Sequence, residues 1–174
     1  MQRWRVPLGF ICAALFLFFA TPTRWTLLIG AIVALPGLAL RAWASGHLKK
    51  NETLAISGPY AYTRNPLYLG SFFIGLGFTI AAGNVLLGVV FILMILGIYL
   101  PVMRVESGTL SHLFGKKYVR YAKEVPLFWP RLTPYRECET RFDRSLYLRY
   151  REYRATVGVL FAWTLLILKA IYFK

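Results

Sequence analysis

The sequence predicts an all-α integral membrane protein, a helical bundle of about five transmembrane helices. Its 174 residues are 57% hydrophobic and only 16% charged, which is too apolar for a soluble domain of this length. The apolar residues form five segments, each near or below the roughly 20 residues that cross a bilayer as a helix. These segments are Val6–Ala20, Trp25–Ala44, Pro66–Ala82, Val85–Met103 and Ala155–Ile171.

The first segment is interpreted as a retained helix. Arg3 and Arg5 precede it, as basic residues precede the apolar core of a signal peptide. A signal peptide also needs a small-residue cleavage site, and Phe19-Ala20-Thr21-Pro22 is a poor one. We therefore expect this helix to stay in the protein.

The next three segments show how the helices are connected. Leu35-Pro36-Gly37 in the second segment predicts a kink. The third and fourth segments are separated only by Gly83-Asn84, which predicts an antiparallel hairpin. Their other ends, near Pro66 and Met103, are therefore expected to be neighbours. Glycines recur in both segments and indicate close helix packing.

Basic residues predict the orientation in the membrane. They concentrate at the N-terminus, in the loop 45–65 and in the segment 104–154, and such regions stay in the cytoplasm. The C-terminus is then expected on the opposite side. The net charge of +14 is interpreted as a surface that contacts anionic lipid headgroups of the bilayer, and binding to nucleic acid is not expected.

Chemically varied residues are confined to two polar stretches, Ser57–Gly70 and Arg104–Pro130. In the second stretch apolar and aromatic residues recur at three- and four-residue spacing, which predicts an amphipathic helix at the membrane surface. Glu106 is a costly residue at the end of a membrane helix. Two interpretations stay open: an ion pair with Arg104 or Arg64, or contact with a cationic group of a bound ligand.

Cysteines and histidines give no metal signal. Cys12, Cys138, His47 and His112 show neither a disulfide framework nor metal-ligand spacing. No metal site is therefore expected.

The two polar stretches together resemble the isoprenylcysteine carboxyl methyltransferase family and the related phospholipid methyltransferases. The resemblance covers about residues 40–130, with two departures: Asn65 replaces the histidine of the family, and Ser107 replaces a second glutamate. The matching runs are Ser57-Gly58-Pro59-Tyr60, Arg64-Asn65-Pro66-Leu67-Tyr68-Leu69-Gly70, Glu106-Ser107, Phe114-Gly115-Lys116-Lys117-Tyr118-Val119-Arg120-Tyr121 and Val125-Pro126.

The resemblance implies a methyltransferase that takes its methyl group from S-adenosylmethionine, in a cytoplasmic cofactor pocket, and releases S-adenosylhomocysteine. Glu106 and Arg64 are the candidate catalytic residues, and no metal is implied. The candidate cofactor-binding residues are His47, Glu52, Thr53, Leu54, Ala55, Tyr60, Asn65, Pro66, Leu67, Tyr68 and Glu106.

The methyl acceptor is expected to be lipidic or small. An isoprenylcysteine-type carboxylate is most like the family, and a phosphoethanolamine-type amine or a small thiol are the alternatives. Members that methylate prenylcysteine have a basic residue about one helical turn before the matched glutamate, where this chain has Val102. Arg104 is nearby and is the candidate substrate-binding residue.

Two other functions stay open from the sequence. A sterol-reductase-like membrane enzyme that uses NADPH is possible because such enzymes share a similar Arg-x-Pro-x-Tyr corner. A non-catalytic membrane protein that binds lipid is the other, and Asn65 and Ser107 favour it.

The domain organisation follows from these assignments. Residues 1–174 are predicted to form a single membrane domain. Within it, 1–45 is an N-terminal helical hairpin, 46–130 is the methyltransferase core with its hairpin and amphipathic segment, and 131–174 is a basic segment with a C-terminal helix.

Overall fold

A computed structural model describes residues 15–49, 52–135 and 141–172. Most of the predicted first span, Val6–Ala20, lies outside these ranges, as do Cys12 and Cys138. Within them the regular structure is helical. The main helices are α1 (Arg24–Ser45), α2 (Pro66–Ala82), α3 (Val85–Phe114), α4 (Lys116–Glu124), α5 (Arg144–Arg149) and α6 (Tyr153–Tyr172), with a short 3-10 turn at Gly58–Ala61.

The fold is the predicted all-α membrane fold. In the described residues α1, α3 and α6 are long and apolar enough to cross a membrane, by length and composition. The α2 helix has the predicted bounds and is apolar, but it has only 17 residues. The α1 helix continues through Pro36.

The α3 helix is longer than predicted, with 30 residues. The sequence suggested that the membrane span ends near Met103 and that a surface helix follows. Instead the helix continues through the charged residues to Phe114, with a π-helical segment at Ile95–Tyr99. It ends at Gly115, whose φ of 54° is left-handed.

The α1 and α2 helices are antiparallel and pack at glycines. A Cβ atom built on Gly37 would lie 2.6 Å from the carbonyl oxygen of Gly70, and one built on Gly77 would lie 2.5 Å from the carbonyl oxygen of Gly30. Only residues without a side chain allow backbones this close. This contact places the polar ends of both helices side by side.

The opposite end of the bundle is closed by α6. Leu166 is buried against Ala20, Ala81 and Ala82. The Lys169 ammonium donates hydrogen bonds to backbone carbonyl oxygens of the helical residues just before Ala20. The one to Phe18 is 2.9 Å long. The C-terminal helix therefore packs against the bundle at this end through Leu166 and Lys169.

The two polar stretches meet at the other end. The Thr63 hydroxyl donates to the carbonyl oxygen of Phe128 at 2.8 Å, and the buried Tyr121 hydroxyl donates to that of Tyr60 at 2.7 Å. The Arg64 amide also donates to the carbonyl oxygen of Pro126 at 3.0 Å. These bonds fix the turn that precedes α2 against the segment that follows α4.

Candidate functional site

A cavity of about 430 Å³ lies where the two polar stretches meet. Its walls come from the loop before the 3-10 turn, the start of α2, the second half of α3, and α4. The residues that line it are Arg41, Leu48, Lys49, Thr53, Leu54, Ala55, Tyr60, Arg64, Asn65, Pro66, Leu67, Tyr68, Ser71, Tyr99, Glu106, Leu110, Phe114, Tyr118 and Tyr121.

The 3-10 turn positions Tyr60 in the wall of the cavity. Gly58 opens the turn with a φ of 55°, and a Cβ atom there would lie 2.6 Å from the ring of His47. Tyr60 is buried, and burial, together with the nearby carboxylates of Glu106 and Glu152, raises the pKa of its phenol. Tyr60 therefore stays neutral at physiological pH.

Arg64 is held beside hydroxyl groups. One terminal nitrogen of its guanidinium lies 3.3 Å from the Ser107 hydroxyl and 3.4 Å from that of Tyr118. Its buried Nε atom has no hydrogen-bond partner. In the described residues no ion pair joins Arg64 to a carboxylate, so its charge is available to an anionic group in the cavity.

Glu106 faces the cavity from α3. The phenol of Tyr68, in the first turn of α2, interacts with its carboxylate, and the Tyr68 ring packs edge-on against Tyr99 with centroids 5.9 Å apart. The described residues contain no ion pair between Glu106 and either Arg64 or Arg104. The sequence left two interpretations open for Glu106. The first of them, an ion pair with Arg64 or Arg104, is not formed in the described residues.

The two departures from the family pattern have structural partners. Asn65 donates from its side-chain nitrogen to the carbonyl oxygen of Leu127 at 2.9 Å. Ser107 shares a 2.7 Å hydrogen bond with the Tyr118 hydroxyl. Both residues therefore help to hold the walls of the cavity together.

Most of the predicted site residues converge on this cavity. Those that line it are Thr53, Leu54, Ala55, Tyr60, Arg64, Asn65, Pro66, Leu67, Tyr68 and Glu106.

Three predicted site residues do not line the cavity. The Nδ1 atom of His47 lies 3.0 Å from the carbonyl oxygen of Trp43, behind the 3-10 turn. Glu52 is exposed and lies 3.8 Å from Arg149. Arg104 is exposed on α3.

Sequence reasoning missed Arg41, which lines the cavity from α1. Its guanidinium makes a salt bridge of 2.8 Å with Glu152, just before α6. A charged residue inside an apolar segment is a signal of function in itself, and Arg41 could have been found in that way. Glu152 could not, because it lies 111 positions further along the chain.

A groove of about 390 Å³ adjoins the cavity. It lies between α2, α3 and α6 and is lined mostly by apolar residues, among them Ile74, Phe78 and Val159. Arg41, Ser71 and Tyr99 line both the groove and the cavity. These three residues form the junction between the two spaces.

Comparisons with known proteins agree with the motifs. The model of the family described as "Phospholipid methyltransferase" matches residues 4–117. The cobalt-zinc-cadmium resistance protein CzcN of Cupriavidus metallidurans is 34% identical over 148 residues, which cover 76% of this chain and 64% of that protein. Human protein-S-isoprenylcysteine O-methyltransferase is 30% identical over 118 residues, covering 61% and 42%.

A further relative is the nickel-cobalt-cadmium resistance protein NccN of Alcaligenes xylosoxydans xylosoxydans. It is 34% identical over 122 residues, which cover 65% of this chain and 52% of that protein. The chain thus spans less than two thirds of the length of each of these relatives. No solved structure matches the chain at a significant level. The family match covers well over half of the residues, and the chain is therefore a membrane protein that belongs to the phospholipid methyltransferase family.

Proposed function

We propose that this protein is a membrane-embedded methyltransferase that transfers a methyl group from S-adenosylmethionine to a lipidic or small acceptor. The observation that carries the proposal is the convergence of both motif halves on one cavity. Tyr60, Arg64 and Tyr68 come from the first polar stretch and Glu106 from the second, and all four line the same space. Its volume of about 430 Å³ is within the range of small-molecule sites.

The residues of the cavity suit the groups of this cofactor. The cofactor supplies, when bound, a methyl group on a sulfonium sulfur, and its transfer to a lone pair of the acceptor leaves a neutral thioether. Glu106 can accept hydrogen bonds from the ammonium or the ribose, and Arg64 can pair with the carboxylate of the amino-acid tail. The unpartnered Nε atom of Arg64 is a donor that such a carboxylate would satisfy.

The aromatic side chains can do two things in this reaction. Tyr60 and Tyr68 can present their ring faces to the sulfonium or the adenine. Tyr118 and Tyr121, which are buried in α4, can exclude water from the reacting groups. In-line methyl transfer depends on the positions of the reacting groups and on the exclusion of water more than on a strong base. An asparagine at position 65 is therefore acceptable.

The membrane location fits an acceptor with an apolar chain. Such a molecule would reach the cavity laterally from the bilayer and place its reactive end at the junction of groove and cavity. We place the cavity on the cytoplasmic side, with the C-terminus opposite, because basic residues concentrate around the cavity.

Calorimetric titration of the detergent-purified protein with S-adenosylmethionine and S-adenosylhomocysteine tests the proposal. Both should bind saturably, and NADPH should not. Glu106→Gln keeps the shape but removes the charge, and should weaken binding about 10- to 100-fold, since a hydrogen bond to a charged group contributes about 1.5–3 kcal/mol. Glu124→Gln, on the exposed side of α4, is the matched control and should bind normally.

The outcomes separate the three functions left open by the sequence. A folded protein that binds neither adenosyl ligand would refute the methyltransferase proposal. Binding of NADPH in their place would favour a reductase, and binding of lipid alone would favour a non-catalytic protein.

A further inference from the structure

The junction between the groove and the cavity contains an arginine that is paired with a carboxylate and with two further acceptors. The Nε atom of Arg41 donates to Glu152 at 3.1 Å, and its Nη2 atom donates to both carboxylate oxygens at 2.8 and 2.9 Å. Its Nη1 atom donates to the Ser71 hydroxyl at 2.6 Å and to the carbonyl oxygen of Leu67 at 3.3 Å. The Nη2 contacts to the two carboxylate oxygens share the hydrogen that faces Nε, so four of the five N–H groups of Arg41 have acceptors here.

This ion pair is largely shielded from solvent. The side chains of Arg41 and Glu152 are 23% and 14% exposed. Their charges cancel, so an incoming head group meets a neutral pair. A carboxylate that left water for this position would lose hydration without meeting a net positive charge, and it would lie close to the Glu152 carboxylate.

The other charged groups of the cavity do not change this result. With the cofactor bound as proposed, Glu106 is paired with the ammonium or the ribose of the cofactor. Arg64 is occupied by the cofactor carboxylate in the proposed function, and Lys49 lies on the exposed rim. A second apolar groove, on the outer face of α3, also reaches the cavity, and Glu106 is the charged residue among those that line it.

We propose that Glu152 is a specificity-determining residue: by neutralising Arg41 it makes the junction reject carboxylate head groups, so that the acceptor is an amphiphile with an uncharged or amine head. This inference rests on the proposed function, because it concerns the acceptor of the same reaction. It also gives a role to a residue outside the part of the chain that the family model matches, residues 4–117. Selection by an unfavourable site for the wrong head group is a general route to specificity.

Two probes with the same chain and different heads test the proposal: 16-bromohexadecanamide and 16-bromohexadecanoate, at about pH 9, where the acid is ionised. Bromine quenches tryptophan fluorescence. Trp163 packs against Phe78 with ring centroids 5.0 Å apart, and Phe78 lines the groove. The probes are therefore added to the protein in nanodiscs and its tryptophan fluorescence is measured. Quenching that the native protein shows and the Trp163→Phe variant loses reports that the probe occupies the groove.

The ratio of the two dissociation constants is the readout, because a general loss of structure would not reverse it. The native protein should bind the amide at least about tenfold more tightly than the carboxylate, equivalent to about 1.4 kcal/mol. Glu152→Gln frees the guanidinium and should reverse the preference. Arg41→Gln should strengthen it, and the double variant Arg41→Gln/Glu152→Gln should restore the native preference.

The exposed Arg149, in the surface pair with Glu52, provides the control variant Arg149→Gln, which should keep the native ratio. A native protein that prefers the carboxylate, an unchanged ratio in Glu152→Gln, or no Trp163-dependent quenching by either probe would each overturn the proposal. The probe titrations contain S-adenosylhomocysteine at saturation, so that Arg64 is occupied, and the binding of S-adenosylhomocysteine itself is measured in the same samples. Its absence with an intact amide preference would refute the methyl donor and support the selection by charge.

Discussion

Alanine at Gly37 would place a methyl group where α1 and α2 are in backbone contact. A Cβ atom at this position would lie 2.6 Å from the carbonyl oxygen of Gly70 and 2.9 Å from the amide nitrogen of Ile74. Ordinary van der Waals contact begins at 3.4 Å, so the two helices would have to separate by about 0.8 Å. Both neighbouring atoms belong to the backbone, which cannot move aside as a flexible side chain can.

The cost of this separation follows from the behaviour of tightly packed interiors. An extra methyl group in a filled site destabilises a protein by about 1–3 kcal/mol. Alanine in place of glycine within a helix recovers roughly 1 kcal/mol. We therefore expect Gly37→Ala to lower the free energy of unfolding by up to about 2 kcal/mol and to weaken binding of S-adenosylhomocysteine, because α1 carries Arg41 into the site.

Gly97 provides the matched control. A Cβ atom there would meet nothing within 4 Å, so Gly97→Ala should leave the protein as stable as the native form or slightly more stable. Unfolding in mixed micelles with increasing denaturing detergent measures both variants. If Gly37→Ala unfolds at the same detergent fraction as Gly97→Ala, the backbone contact between α1 and α2 does not limit the packing, and the reasoning is wrong.

Three other substitutions test the polar framework. Thr63→Val removes the buried hydroxyl that ties the motif turn to the loop after α4, and should cost about 1–3 kcal/mol of unfolding free energy. Lys169→Met removes the ammonium that caps the helix ending near residue 20, and should cost about 1 kcal/mol in the same detergent assay. Tyr121→Phe tests how the stability of the protein depends on pH, because burial raises the pKa of the Tyr121 phenol above its ordinary value of 10.0. The unfolded state therefore releases this proton first as the pH rises, so stability should fall above about pH 10, and Tyr121→Phe should make that fall shallower.

Each of these expectations has a contradicting result. Thr63→Ser keeps the hydroxyl and should be close to the native stability, so equal losses in Thr63→Ser and Thr63→Val would contradict the role of the hydrogen bond. Lys169→Arg should retain a donor, and a loss as large as that of Lys169→Met would contradict the capping role. An unchanged alkaline limb in Tyr121→Phe would show that other groups cause it.

The parts of the fold that the sequence predicted are those set by local signals. The bounds of α2 were predicted correctly because Pro66 favours the first helical position and Gly83 ends the helix with a φ of 63°. The end of α3 was predicted wrongly because hydropathy falls at Arg104, whereas the helix continues to Phe114 and ends at Gly115. Hydropathy reports on the surroundings of a helix, and the helix itself can continue into water.

The candidate site divides in the same way. Residues within the motif runs converge on the cavity, because the turn before α2 and the second half of α3 are each local structures joined by a short hairpin. His47 and Glu52 were assigned by proximity to the motif in the sequence, and the turn of the chain directs them elsewhere. The pairing of Arg41 with Glu152 depends on how α6 returns to the bundle, which one sequence does not reveal.

The Arg41–Glu152 pair also has a consequence for the synthesis of the protein. The ribosome adds about 5–20 residues per second, and 111 positions separate the two residues, so the arginine is synthesised about 6–22 s before its partner. Until then α1 carries a charge that Glu152 does not compensate, which disfavours insertion by about 2.5–3.5 kcal/mol at the membrane centre and less near its edge. The charge of α1 is therefore neutralised by Glu152 only late in the synthesis of the chain.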